Sequence, residues 1–67
     1  MNSNQFIRWL RRQHGAAIED KGGRHHKLAR LGDRKAVIPT HGGQKQLGKG
    51  LMLKIMRELG IDGPPPN

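Results

Sequence analysis

The sequence predicts an α+β domain in the order helix, three strands, helix, and three observations carry that expectation. An amphipathic run opens behind Asn2 and stops at Gly15. A two-residue Gly32-Asp33 loop joins two strand-like segments, and an apolar stripe from Leu51 to Leu59 stops at Gly60. With 67 residues there is room for one domain and one modest core, near the lower size at which chains fold without staples.

Asn2, with Gln5 three residues on, has the form of a capping box, in which two otherwise orphaned backbone N–H groups are satisfied reciprocally. Phe6, Trp9, Leu10 and Gln13 then recur at helical spacing with Ile7 beside them, and Arg8, Arg11 and Arg12 take the other positions. His14-Gly15 ends a helix of about three turns, Gly15 being suited to the left-handed closing position. The apolar residues read as core and the arginines as a solvated face. Ala16 to Asp20 is a short strand, followed by the Lys21-Gly22-Gly23 turn.

His25 to Leu31 and Arg34 to Pro39 flank Gly32-Asp33, whose leading glycine suits a type II′ hairpin. Strand alternation places His25, Lys27, Ala29 and Leu31 on one face and His26, Leu28 and Arg30 on the other. Neither face is uniformly apolar, so pattern alone specifies the register weakly. Val37 and Ile38 mark the third strand, which Pro39 closes, and Thr40 to Gly48 reads as loop. Leu51, Met52, Ile55, Met56 and Leu59 form the second helical stripe, the two methionines as core filler. Gly60 fits a C-cap, with Ile61 as the apolar contact beyond it. Residues 1–62 read as one domain and 63–67, Gly-Pro-Pro-Pro-Asn, as a flexible tail that cannot continue a helix.

Thirteen Lys and Arg against five Asp and Glu give a net charge of +8, which calls for a polyanion or an acidic protein surface as partner. Cysteine is absent, excluding disulfides and thiolate metal sites. The first residues lack a basic segment followed by an apolar run, so no signal peptide is expected, and no stretch approaches the ~18 apolar residues of a membrane span. Phe6 and Trp9 are the only aromatics. Base-stacking platforms are therefore not expected, and recognition of a nucleic-acid backbone fits better.

The segment Gly22-Gly23-Arg24-His25-His26 gathers the chemistry a phosphodiester site needs. Glycines admit a close backbone approach, arginine is a permanent cation, and histidine is the side chain whose ordinary pKa lies near neutrality. Metal-assisted cleavage wants clustered carboxylates, but Glu19 and Asp20 point to opposite faces of a strand. A zinc site from His25, His26 and His41 fares no better, since adjacent strand histidines diverge and no fourth ligand is evident. No metal or cofactor is expected. RNA offers a simpler route, because its 2′-hydroxyl is a nucleophile beside the scissile phosphate. The protein then supplies a base for that proton and cations for the developing charge. One histidine with Arg24 and Lys27 nearby suffices, although a histidine so placed is also compatible with an ordinary exposed residue.

These motifs, taken in order, resemble the HicA family, the small toxins of bacterial HicAB toxin–antitoxin modules, over essentially Asn2 to Ile61. Phe6-Ile7-Arg8-Trp9-Leu10 matches the family's opening helix, and Gly22-Gly23-Arg24-His25-His26 its Gly-Ser-x-His or Gly-Ser-His-His turn. Pro39-Thr40-His41 matches a Pro-x-His after the third strand. Gln46 to Met56 with Gly60-Ile61 matches a closing segment Glu-Leu-x-x-Gly-Thr-Leu-x-x-Ile-Leu ending in Gly-Ile. The chain departs from the pattern where Gly23 or Arg24 replaces the serine, Gln46 a glutamate, and Leu51 a threonine suited to capping the second helix.

The resemblance implies a double-stranded-RNA-binding-domain-like fold, with both helices on one face of a three-stranded antiparallel sheet. It implies a metal-independent endoribonuclease that cleaves mRNA in the bacterial cytoplasm and is silenced by a HicB-type antitoxin. Its catalytic histidine maps onto His25, or onto His26 when the alignment runs backward from Pro39. Gly22, Gly23, Arg24 and Lys27 are the expected phosphate contacts. Leu28 is expected to face the helices and bury His26 with it, leaving His25 accessible. The alternative function is a non-catalytic basic RNA-binding module of the same fold, and a third reading is a protein that binds an acidic protein partner.

Overall fold

The first helix, α1 (Ser3–His14), forms where the capping signals place it. The Gln5 backbone N–H donates to Asn2 Oδ1 at 2.8 Å, and the Asn2 N–H donates to Gln5 Oε1 at 2.9 Å. Gly15 closes the helix at φ 70°, its N–H donating to the Arg11 carbonyl. Phe6, Ile7 and Leu10 are buried with Ser3, while Trp9 is only half-buried at the margin of the stripe. The computed structural model describes residues 1–20, 26–40 and 46–66.

Three strands follow: β1 (Ala17–Asp20), β2 (His26–Leu31) and β3 (Arg34–Pro39), in an antiparallel sheet of order β1-β2-β3. The first begins one residue later than expected, because Ala16 is buried in the turn out of α1, its N–H donating to the Leu10 carbonyl. Gly32 has φ 62° and Asp33 has no positive φ, the signs a type II′ turn requires. The second helix, α2 (Lys49–Glu58), starts from Gly48, which offers no side-chain cap. It ends in a Schellman motif: Ile61 N–H donates to the Met56 carbonyl, Gly60 N–H to that of Arg57, and Gly60 has φ 76°.

Register decides which sheet face the helices cover. Ala29 pairs with Ile18 and Ala36, and Lys27 pairs with Ile38. Ala29, Ala36 and Ile38 are buried in one cluster with Phe6, Leu10, Met52, Ile55, Met56, Leu59 and Ile61, and Ile18 and Leu31 pack against it. Both helices therefore sit on the face that carries Ala29. This corrects the expectation for Leu28, which lies on the opposite face between Glu19 and Val37 and is buried there outside the main core cluster. The physical reason is volume. A registered pair of alanines at the centre of the sheet leaves room for the large helical side chains, which a leucine there would displace.

One tie was not legible in the sequence. Asn2 forms an isolated antiparallel bridge with Gln46, Leu47 N–H donates to the Met1 carbonyl at 2.8 Å, and the Met1 amine donates to Gln46 Oε1. The N-terminus is thereby clasped to the segment that leads into α2. Among the described residues, no helix is long and apolar enough to cross a membrane.

Candidate active site

The antiparallel register brings one residue from each of two separate sequence motifs to one end of the sheet. At the entry to β2, His26 is paired with Pro39, the residue that opens Pro39-Thr40-His41. The next residue, Lys27, stands between Asp20 of β1 and Ile38 of β3. The first residue of β2 and the last residue of β3 thus stand at the same end of the sheet. Gly22, Gly23, Arg24 and His25 lie outside the described residues, as does His41.

His26 is exposed, on the face opposite the helices, which overturns the expectation that Leu28 would carry it into the core. Burial therefore gives no reason to prefer His25 over His26. Lys27 occupies the helix-covered face at its open end, with 36% of its side chain exposed, and its ammonium is ion-paired with the Asp20 carboxylate. That carboxylate is itself 76% exposed, so the pair sits in water and is readily exchanged for another anion. Asp20 had no assigned role in the sequence reading. The signal that would have found it is the hairpin register, which sets the last residue of β1 against the second residue of β2.

The other acid on β1 is also engaged. Glu19 pairs with Arg30 on the open face of the sheet, where Arg30 stands beside Lys35 of β3. Both carboxylates of β1 thus answer cations of β2, and Glu19 and Asp20 fall on opposite faces, as alternation requires. Lys27 can hold an anion at the sheet end, whereas the exposed His26, its neighbour in β2, points to the other face, so the strand does not bring these two side chains together. A lysine so placed is a counter-charge to a phosphorane-like centre, and an imidazole is a proton acceptor for a hydroxyl that reaches it.

Comparison with known proteins bears on the family of the chain. Residues 3–61 match the family model described as HicA toxin of bacterial toxin-antitoxin. The chain is also similar to the protein named probable mRNA interferase HicA of Pseudomonas fluorescens (strain Pf0-1). The two are 36% identical over 61 residues, covering 91% of this chain and 97% of the relative. No solved structure matches the chain.

Proposed function

Because this chain belongs to the HicA toxin family of bacterial toxin–antitoxin systems, we propose that it is an endoribonuclease that cleaves mRNA through the substrate's own 2′-hydroxyl. The observation that carries this reading is the activity in the name of the Pseudomonas relative, which aligns along nearly the whole of this chain. The general base is His25, with His26 as the alternative. It takes the 2′-hydroxyl proton as the O2′–P bond forms and the P–O5′ bond breaks, and the departing O5′ is protonated in return. Lys27 and Arg24 neutralise the charge that builds on the phosphoryl oxygens, and Gly22 and Gly23 let the phosphate approach the backbone. No step calls for a metal, because the nucleophile belongs to the substrate. Residues 1–62 form the toxin domain, which acts in the bacterial cytoplasm and is held silent by a HicB-type antitoxin.

The accessible His26 and the basic open face also suit a module that binds RNA without cutting it. Incubating the protein with an mRNA in EDTA separates the two. Cleavage under chelation is the expected result, whereas a mobility shift with intact RNA would leave only the binding module. His25→Ala is expected to lower the cleavage rate by about 10²–10⁴-fold and to relieve growth inhibition. Full activity in that variant, together with loss in His26→Ala, would move the base to His26.

A further inference from the structure

Helix α1 carries a basic surface that the site at the β2 entry does not use. Its sequence, SNQFIRWLRRQH, holds three arginines and no carboxylate. Arg8, Arg11 and Arg12 are exposed, and none has an ion-pair partner among the described residues. Met1, Gln5, Arg8, Trp9, Arg12 and Gln13 line a surface depression of about 340 Å³. That volume is at the lower end of the ~300–1,000 Å³ typical of small-ligand clefts. Gln5, Trp9 and Gln13 form one row at four-residue spacing, and Arg8 and Arg12 form a second row beside it.

The indole that lines this depression makes two ring contacts. Phe6 stacks on it with ring centroids 5.8 Å apart and planes 12° from parallel, and His14 meets it edgewise at 4.7 Å. The Gln5 side-chain carbonyl is engaged by the Asn2 N–H, which leaves the Gln5 amide hydrogens as donors at the groove wall. An indole flanked by amides and by two exposed guanidiniums without an ion pair among the described residues has the donor set of a nucleotide site: an aromatic surface for a base, hydrogen bonds for its edge, cations for its phosphates. A carboxylate-bearing peptide would satisfy the guanidiniums and leave the indole and amides without a role.

We propose that this depression is a second RNA subsite. Arg8 and Arg12, one helical turn apart, hold successive phosphates of a single strand while one base rests against Trp9 between Gln5 and Gln13. The proposal rests on the RNA-cleaving reading of the chain and says where on the molecule the substrate strand is gripped outside the β2 entry. It also revises the sequence-based expectation that base stacking plays no part.

Trp9 is the single tryptophan of the chain, so its fluorescence reports this groove alone. The probe is a 2′-O-methyl oligouridine, which lacks the nucleophilic hydroxyl and stays intact during titration. Saturable quenching of Trp9 is expected. Arg8→Gln and Arg12→Gln should each weaken binding about tenfold and flatten the dependence of log affinity on log salt by about 0.7 for each phosphate no longer neutralised. Both arginines are exposed, so far-UV circular dichroism should show unaltered helix content. RNA binding without any change in Trp9 emission, and with the two variants matching the parent, overturns the subsite while cleavage of an ordinary mRNA keeps the proposed function intact. Quenching by poly-glutamate and not by the oligouridine would make the groove a protein-docking surface and also overturn it. Absence of both binding and cleavage in the parent protein would remove the RNA-cleaving reading and the subsite with it.

Discussion

Lys27 is drawn toward two anions, the Asp20 carboxylate it holds and the substrate phosphate it is proposed to meet. Because the pair is solvent-exposed, its loss should change folding stability by no more than ~0–1 kcal/mol. Asp20→Asn should, in contrast, raise RNA affinity roughly two- to fivefold, since one competing charge disappears beside the site; binding by fluorescence anisotropy at fixed salt measures it, and unchanged affinity would mean that Lys27 does not touch the phosphate. Two glycines make a second comparison. Gly32 and Gly60 both have positive φ, at 62° and 76°. A β-carbon on Gly32 meets nothing within 4 Å, whereas one on Gly60 would lie 2.8 Å from Arg34 Cδ. Gly32→Ala should cost about 1 kcal/mol from backbone strain, and Gly60→Ala more, because the arginine must also move; urea unfolding midpoints give the ranking. The candidate site was partly legible at this scale. The glycine turn, His26 and Lys27 were visible as letters. Which face each strand residue occupies was not, because β2 carries one large apolar side chain toward each side and alternation alone cannot choose between Leu28 and Leu31.

Among the described residues the elements were legible to within one or two residues, and their boundary chemistry explains why. Asn2, Gln5 and Gly15 bracket α1 with the donors and the left-handed residue that a helix needs, and Gly32-Asp33 fixes the hairpin so tightly that Arg34–Pro39 was read in full. Helix α2 was the weaker case, since it begins at Gly48 with no side-chain cap and carries a second glycine, Gly50, in its first turn. The two helices therefore respond oppositely to local change. Asn2→Ala removes half of the capping box and should destabilise the protein by about 1 kcal/mol. Gly50→Ala fills open space at an ordinary φ and should stabilise it by roughly 0.5–1 kcal/mol. Thermal unfolding monitored at 222 nm should show shifts of opposite sign, about 4–8 °C per kcal/mol for a chain this short. The pairing of Asn2 with Gln46 escaped notice because two residues of backbone bridge carry no pattern; a strand must alternate for several residues before its period can be seen.

The whole molecule is a thin-margined structure with a large positive field. A chain of 67 residues has about 3–10 kcal/mol of stability in hand. Phe6 is fully buried, and Phe6→Ala should remove about 3–5 kcal/mol, enough to leave much of the population unfolded at 37 °C by circular dichroism. That loss should abolish toxicity without altering any residue at the β2 entry. The closure between Asn2 and Gln46 also has a meaning in time. The first residues made must wait for the forty-sixth before they can settle, and the core waits longer still, for Ile55, Met56 and Leu59. A nascent chain accordingly cannot close its core before the residues of α2 have left the ribosome, and a chain cut short before them is left without the fold that carries the toxin's activity.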